Sequence, residues 1–100
     1  MQKIIVYWRD IPSQVIVKKG RRREKSLLNA RFQHAIDRAA MRARKHDSDA
    51  YMSEWKRVTT LLEDGGDPGT IVQSEAQRIE AAYPDDRLLQ LIKNHGLTPV

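Results

Sequence analysis

Two short runs of β-branched and aromatic residues near the N-terminus constrain the possible folds of this chain most. One run spans Ile4 to Trp8 and the other spans Gln14 to Lys18, and each is too short for a helix. Residues Asp10 to Ser13 between them favour a turn, so the pattern predicts an antiparallel hairpin. Because a lone two-stranded hairpin is only marginally stable in water, we expect a third strand to complete the sheet.

Residues 26–45 have the clearest helical pattern. Six apolar side chains recur at helical spacing and define a buried face: Leu28, Phe32, Ala35, Ile36, Ala39 and Ala43. Ser26 is expected to cap the N-terminus of this helix. Gly20 ends the hairpin, and the charged residues 21–25 are expected to form the connection into the helix.

The second half of the chain predicts one strand and two helices after a short helical turn at 48–54. Val58, Thr59 and Thr60 favour a strand at about 56–62, although helical spacing around them leaves a helix as an alternative. Asp67 and Pro68 are suited to cap and start a helix. A last short helix is expected to begin at 84–86 and to end at Gly96.

These elements predict an α+β fold with the order β-β-α-β-α-α. We expect a small antiparallel three-stranded sheet, made of the hairpin and one further strand, with the helices packed on one face. A chain of 100 residues with 40% apolar content is large enough for one core. Residues 1–96 are therefore expected to form a single domain, and residues 97–100 are expected to fray.

The composition excludes several classes of protein. The chain has no cysteine, so it has no disulfide, no thiolate nucleophile and no cysteine zinc site, which favours a reducing compartment. The apolar run at the N-terminus is too short for a signal peptide, and no stretch approaches the ~18 apolar residues of a membrane span. We expect a cytoplasmic protein.

Positive charge is concentrated in the first half of the chain. The net charge of +5 combines +8 in residues 1–50 with −3 in residues 51–100. Such an asymmetry favours an anionic partner, such as nucleic acid, an acidic protein or a phosphorylated ligand.

Cations recur every three or four residues along the predicted helix 26–45 and form one stripe, called here the basic ridge. It consists of Arg31, His34, Arg38, Arg42 and Lys45. Arg21, Arg22 and Arg23 are expected to extend it. The ridge predicts a site for phosphates or for an acidic partner, while the alternative is an ordinary solvated helix face.

The predicted hairpin tip is a second candidate binding site. Trp8, Arg9 and Asp10 lie there, and an exposed tryptophan beside an arginine is typical of a binding hot spot. In the alternative interpretation, Trp8 packs into the core and Arg9 pairs with Asp10 or with another carboxylate.

No pattern of catalytic or metal-binding residues is present. His34, His46 and His95 lack metal-ligand spacing, and no motif for a serine nucleophile or a metalloprotease occurs. The glycine-rich stretch 64–69 contains aspartates that would repel phosphate, so we expect a turn and a helix cap there. We therefore expect no catalytic residue, no cofactor and no metal, although the fold could still assemble an acid and a base that are distant in sequence.

Three segments resemble a small bacterial family of "virulence factor" domains over about residues 4–57. They are Tyr7-Trp8-Arg9-Asp10-Ile11-Pro12, Gln14-Val15-Ile16-Val17 and Ala35-Ile36-Asp37-Arg38-Ala39-Ala40-Met41-Arg42-Ala43. The resemblance implies a stand-alone domain of about the length of this chain, with no assigned catalytic residue. It also implies an association with folate- and corrinoid-linked methyl transfer, because similar genes often lie near genes for that chemistry.

The sequence thus predicts a binding or accessory module and not an enzyme. We expect it to present the basic ridge and the hairpin tip to an acidic partner, most readily a protein. An RNA- or DNA-binding domain is one alternative. An accessory subunit of a folate- or corrinoid-linked methyl-transfer system is another.

Overall fold

Four strands and four helices follow one another in the computed structural model of the chain, which describes residues 1–63 and 65–99. The strands are β1 (Gln2–Trp8), β2 (Ile11–Lys19), β3 (Arg22–Leu27) and β4 (Trp55–Leu61). The helices are α1 (Ala30–Arg42), α2 (Ser48–Met52), α3 (Pro68–Ala82) and α4 (Asp85–Lys93). The predicted α+β class is confirmed, as are the short helix after residue 47 and the strand near residues 56–62.

The sheet is antiparallel with the strand order β3-β2-β1-β4, so the prediction of three strands is wrong by one. Residues 21–25 were expected to connect the hairpin to a helix that begins at Ser26, but residues 22–27 form a strand that pairs with β2, from Gln14 opposite Leu27 to Lys19 opposite Arg22. Ser26 therefore lies in β3 and caps no helix, and α1 begins at Ala30. The reason is that buried backbone groups need hydrogen-bond partners. Strand β2 lies inside the sheet, and β3 provides partners for the N–H and C=O groups on the side of β2 that faces away from β1.

The turn between β1 and β2 is tighter than its sequence predicts. Trp8 pairs with Ile11, so only Arg9 and Asp10 form the turn, and Arg9 adopts a positive φ of 52°. Pro12 and Ser13 belong to β2. The register shifts between Val6 and Tyr7, which is a β-bulge that bends the strand next to the turn.

The helices cover one face of the sheet. Phe32 and Ile36 of α1 are buried, which confirms the predicted apolar face, and they join Val15 and Val17 of β2 in the main core. A small separate cluster lies on the other face of the sheet: Ile4, Val6 and Ile16, with Trp55 packed against it. Among the described residues, no helix packs across this second face, called here the open sheet face.

Two helix ends illustrate how local sequence sets the boundaries. Asp67 caps α3 by accepting a hydrogen bond from the backbone N–H of Thr70, and Pro68 occupies the first turn, as predicted; Asp64 lies outside the described residues. At the end of α4, Gly96 N–H donates to Leu91 O at 2.7 Å. This bond and the positive φ of His95 form a Schellman-type cap.

The C-terminal segment returns to the hairpin. Asp10 N–H donates to Gly96 O at 2.8 Å, and Thr98 N–H donates to the Asp10 carboxylate. The fraying expected for residues 97–100 stays a prediction, and Val100 lies outside the described residues. Within residues 1–63 and 65–99, no helix is long and apolar enough to cross a membrane.

Gly96 offers a test of the packing around Trp8. A Cβ atom at Gly96 would lie 2.9 Å from Cζ3 of Trp8, whereas one at Gly20 would meet nothing within 4 Å, although both glycines have a positive φ. Each Gly→Ala change should therefore cost roughly 1–2 kcal/mol of backbone strain, and Gly96→Ala should cost a further ~1–3 kcal/mol from overpacking. Urea unfolding of the two variants measures the difference, and equal losses would contradict the close contact.

Candidate functional site

The first residue of the basic ridge, Arg31, is used inside the fold. Its Nη2 donates to Glu80 O at 2.7 Å, and its Nη1 donates to Tyr83 O and to the Asp85 carboxylate. These carbonyls lie at the C-terminal end of α3, where a cation is favoured by the helix dipole. Arg31 therefore holds α1 against the junction of α3 and α4.

The last residue of the ridge is also taken up by the fold. Lys45 lies 3.4 Å from the Glu54 carboxylate, and Glu54 is shared with Arg9 at 3.2 Å. The hydrogen bond from Arg9 lowers the pKa of Glu54; partial burial opposes this effect, and Lys45 adds to it. Lys45 thus contributes to a junction between the end of α1, the loop before β4 and the hairpin turn.

The middle of the ridge is free. His34, Arg38 and Arg42 are exposed, and within residues 1–63 and 65–99 their side chains have no hydrogen bond or ion pair. His34 and Arg38 lie on the side of α1 that faces α4, since they line a groove of about 350 Å³ with residues of α4. Two of the three unpaired residues of the ridge, His34 and Arg38, therefore lie along one groove.

The groove between α1 and α4, called here the basic groove, has walls of different character. Arg31, His34 and Arg38 supply the basic wall, and Leu88, Leu89 and Ile92 supply the apolar wall. Leu89 is 39% exposed, and Asp85 lies at the rim. Such a groove matches a segment with acidic side chains along one edge and apolar side chains along the other.

The arginine run before α1 does not extend the ridge. Arg22 pairs with Asp67 at 2.9 Å and with Glu24 at 3.2 Å, so it ties β3 to the start of α3. Arg21 lies in the turn between β2 and β3. Arg23 lies in β3, directly opposite Lys18.

The open sheet face carries a second group of cations that the sequence analysis missed. Directly paired residues share a face of a sheet, so the registers place Lys18, Arg23, Lys25 and Arg57 on the face that also bears Ile4, Val6 and Ile16. Within the described part of the chain these four cations have no ion pair. Reading residues 22–27 as an alternating strand would have revealed the group.

A groove of about 480 Å³ runs along one end of the open sheet face. It is lined by Val6, Gln14, Met52, Trp55, Lys56 and Arg57. The side-chain oxygen Oε1 of Gln14 is buried and has no hydrogen-bond partner among the described residues. A bound molecule with an N–H donor would satisfy this oxygen.

The hairpin tip is an internal junction of the fold. Trp8 is fully buried, and its Nε1 donates to Tyr51 O at 2.9 Å. Arg9 donates to His95 O at 2.9 Å and pairs with Glu54. These placements agree with the alternative interpretation of the tip, in which Trp8 belongs to the core and Arg9 pairs with a carboxylate.

Asp10 completes the tip. Burial would raise its pKa, but the hydrogen bonds from Thr98 and Lys56 outweigh that effect and lower the pKa.

Within residues 1–63 and 65–99, no group of three or more histidine, aspartate or glutamate side chains is arranged to hold a metal ion.

The architecture is that of a two-layer α+β domain with one open sheet face. The family model described as "Virulence factor" matches residues 6–92, so the chain belongs to that family, as the resemblance of its first half indicates. No curated protein and no solved structure matches the chain significantly.

The junction around Glu54 predicts a pH dependence of stability. Because the pKa of Glu54 is lowered from 4.5 by folding, its ionised form stabilises the fold above that value, and the contribution is lost as the pH falls through the lowered folded pKa. Between about pH 6 and about pH 3, we expect the free energy of unfolding to fall more steeply for the natural chain than for Glu54→Gln.

Glu63→Gln is the matched control, because the same chemical change is made at an exposed carboxylate in a loop. Urea titrations at several pH values give the free energies. Curves for Glu54→Gln that run parallel to those of the natural chain would remove the Arg9–Glu54–Lys45 junction as a source of the pH dependence.

Proposed function

We propose that this protein is a binding module that takes up an acidic segment of a partner protein in the basic groove between α1 and α4. The observation that carries the proposal is the contrast within the basic ridge. Arg31 and Lys45 make internal contacts, whereas His34 and Arg38 are exposed in the groove that Leu88 and Leu89 also line. Arg42 is exposed at the end of the same helix.

Charge and apolar surface favour the same occupant. A partner carboxylate facing Arg38 would form a charge-assisted hydrogen bond, for which arginine is well suited. An apolar side chain one turn away would cover Leu89, which is otherwise exposed. An acidic amphipathic helix meets both demands, and it would lie along the groove in the helix-in-groove mode.

Reversal of two ridge charges tests this proposal. Arg38→Glu with Arg42→Glu should change the free energy of unfolding by no more than about 0.5 kcal/mol, because both residues are exposed and unpaired. Capture of partner proteins from the native cell should nevertheless be lost. Melting curves and nuclease-treated pull-downs, analysed by mass spectrometry, measure the two effects on the same variant.

Lys25→Glu with Arg57→Glu is the matched control, because it makes the same change of charge on the open sheet face. The control should retain the proteins captured by the natural chain. Unchanged capture by the Arg38/Arg42 variant would discard the groove as the binding site. An equal loss of captured proteins in both variants would show that capture depends on net charge alone.

A second candidate function is the binding of single-stranded nucleic acid on the open sheet face. The specific observation is the groove that contains Trp55, Arg57 and the unsatisfied Gln14 oxygen. A base could stack on the exposed part of Trp55, an amino or ring N–H group of the base could donate to Gln14, and the cations of the face would contact phosphates.

A direct binding measurement tests this second candidate. A single-stranded oligouridine and an oligoadenine RNA should bind the natural chain with an affinity that falls as salt is raised. Lys25→Glu with Arg57→Glu should abolish that binding and Arg38→Glu with Arg42→Glu should leave most of it. Equal weakening by the two variants would indicate non-specific attraction to a basic protein.

The accessory role in methyl transfer, the cytoplasmic location and the non-enzymatic character stay predictions. Binding by the hairpin tip also stays a prediction; because Trp8 is buried, it would require a partner to contact the edge formed by Arg9 and Asp10.

A further inference from the structure

Strand β4 forms an open edge of the sheet. Within the described part of the chain it pairs with β1 on one side only, and every residue of β4 other than Trp55 is exposed. Val58 and Leu61 are 46% and 78% exposed. An edge of this kind offers unpaired N–H and C=O groups to a further strand.

The direction of the free backbone groups follows from the ladder with β1. Leu62 N–H donates to Met1 O at 2.8 Å, and Glu54 O accepts from Arg9 N–H at 3.1 Å. Because backbone groups of successive residues point to opposite sides of a strand, the even-numbered residues of β4 face β1. The N–H and C=O groups of the odd-numbered residues point away from the sheet: Trp55, Arg57, Thr59 and Leu61.

We propose that two copies of this chain associate by antiparallel pairing of their β4 strands, with Val58 opposite Val58 at the two-fold axis. This register pairs Trp55 with Leu61 and Arg57 with Thr59. All of these residues have outward backbone groups, so the interface forms about eight N–H···O bonds, two for each pair. The exposed Val58 and Leu61 side chains are both covered.

The charges of β4 disfavour two of the alternative registers. A two-fold axis at Lys56 or Arg57 would place a cation directly opposite its own copy, which is destabilising. With the axis at Val58, Lys56 lies opposite Thr60. The two Arg57 side chains are then only diagonal neighbours, about 7–8 Å apart, and their length allows them to diverge into solvent.

The other edge of the sheet is protected against such pairing. Four of the six residues of β3 are charged, against two of the seven in β4, and charged side chains on an edge strand oppose the addition of another strand. The β4 interface is also separate from the basic groove, which lies between helices. The inference therefore does not rest on the proposed function, and a dimer would carry two grooves.

Substitutions at the two-fold axis test the inference in the natural chain. Multi-angle light scattering over a range of concentrations should give twice the monomer mass for the natural chain at the upper end. Val58→Lys and Val58→Glu should each give the monomer mass, because like charges would face one another. An equimolar mixture of the two should recover the dimer, because lysine then faces glutamate.

Leu27→Lys is the matched control, since it replaces an exposed apolar residue with lysine on the opposite edge strand, and it should remain dimeric. Urea unfolding establishes that each variant is folded. A natural chain that stays monomeric at every concentration overturns the inference. Pairing of β4 with a strand of a different protein would give that result and would therefore also count against it. A dimer that survives Val58→Lys, or a mixture that stays monomeric, also overturns it.

A single cysteine provides an independent measurement, because the natural chain contains none. A pair without mutual hydrogen bonds has Cα atoms about 4.5 Å apart, within the range for a disulfide of about 4.4–6.8 Å. Val58→Cys should therefore form a covalent dimer under mild oxidation much faster than Leu27→Cys. Equal rates of cross-linking would contradict the pairing.

Discussion

The packing around Trp8 is the interaction on which the rest of the structure depends. Its indole is fully buried, stacks on Tyr51 with ring centroids 5.9 Å apart and lies against the backbone of Gly96. Tyr51 and Gly96 are far from Trp8 in sequence. A single side chain at the end of β1 thus joins the hairpin to α2 and to the segment after α4. The hydrogen bonds and ion pairs of Arg9 and Asp10 stabilise the same junction.

That junction also determines which cations are available to a partner. Glu54 forms ion pairs with Arg9 and Lys45, and Arg31 donates hydrogen bonds to carbonyls at the end of α3. Cations that remain unpaired lie on two separate surfaces, the basic groove and the open sheet face. Because the helices lie on one side of the sheet only, these surfaces point in different directions, and the two candidate functions can be tested independently.

Particular residues show how much of the structure the local sequence pattern predicts. The burial of Phe32 and Ile36 follows from helical spacing, and the cap formed by Asp67 follows from its position before Pro68. Strand β3 escaped prediction because its sequence is dominated by charged residues, which have low strand propensity. Pairing with β2 overrides that propensity, since the central strand would otherwise bury unpaired backbone groups. The same error placed Arg21, Arg22 and Arg23 beside α1 and hid the cations of the open sheet face.

The sequence by itself determined the class of the fold, the phase of α1 and the concentration of positive charge in the first half of the chain. Each depends on spacing or composition within one segment. Only the tertiary structure decided which cations are neutralised, where the open sheet face lies and which edge remains unpaired. Those properties depend on contacts between segments distant in sequence, such as Arg31 with the end of α3 and Arg9 with Glu54, and no local pattern specifies them.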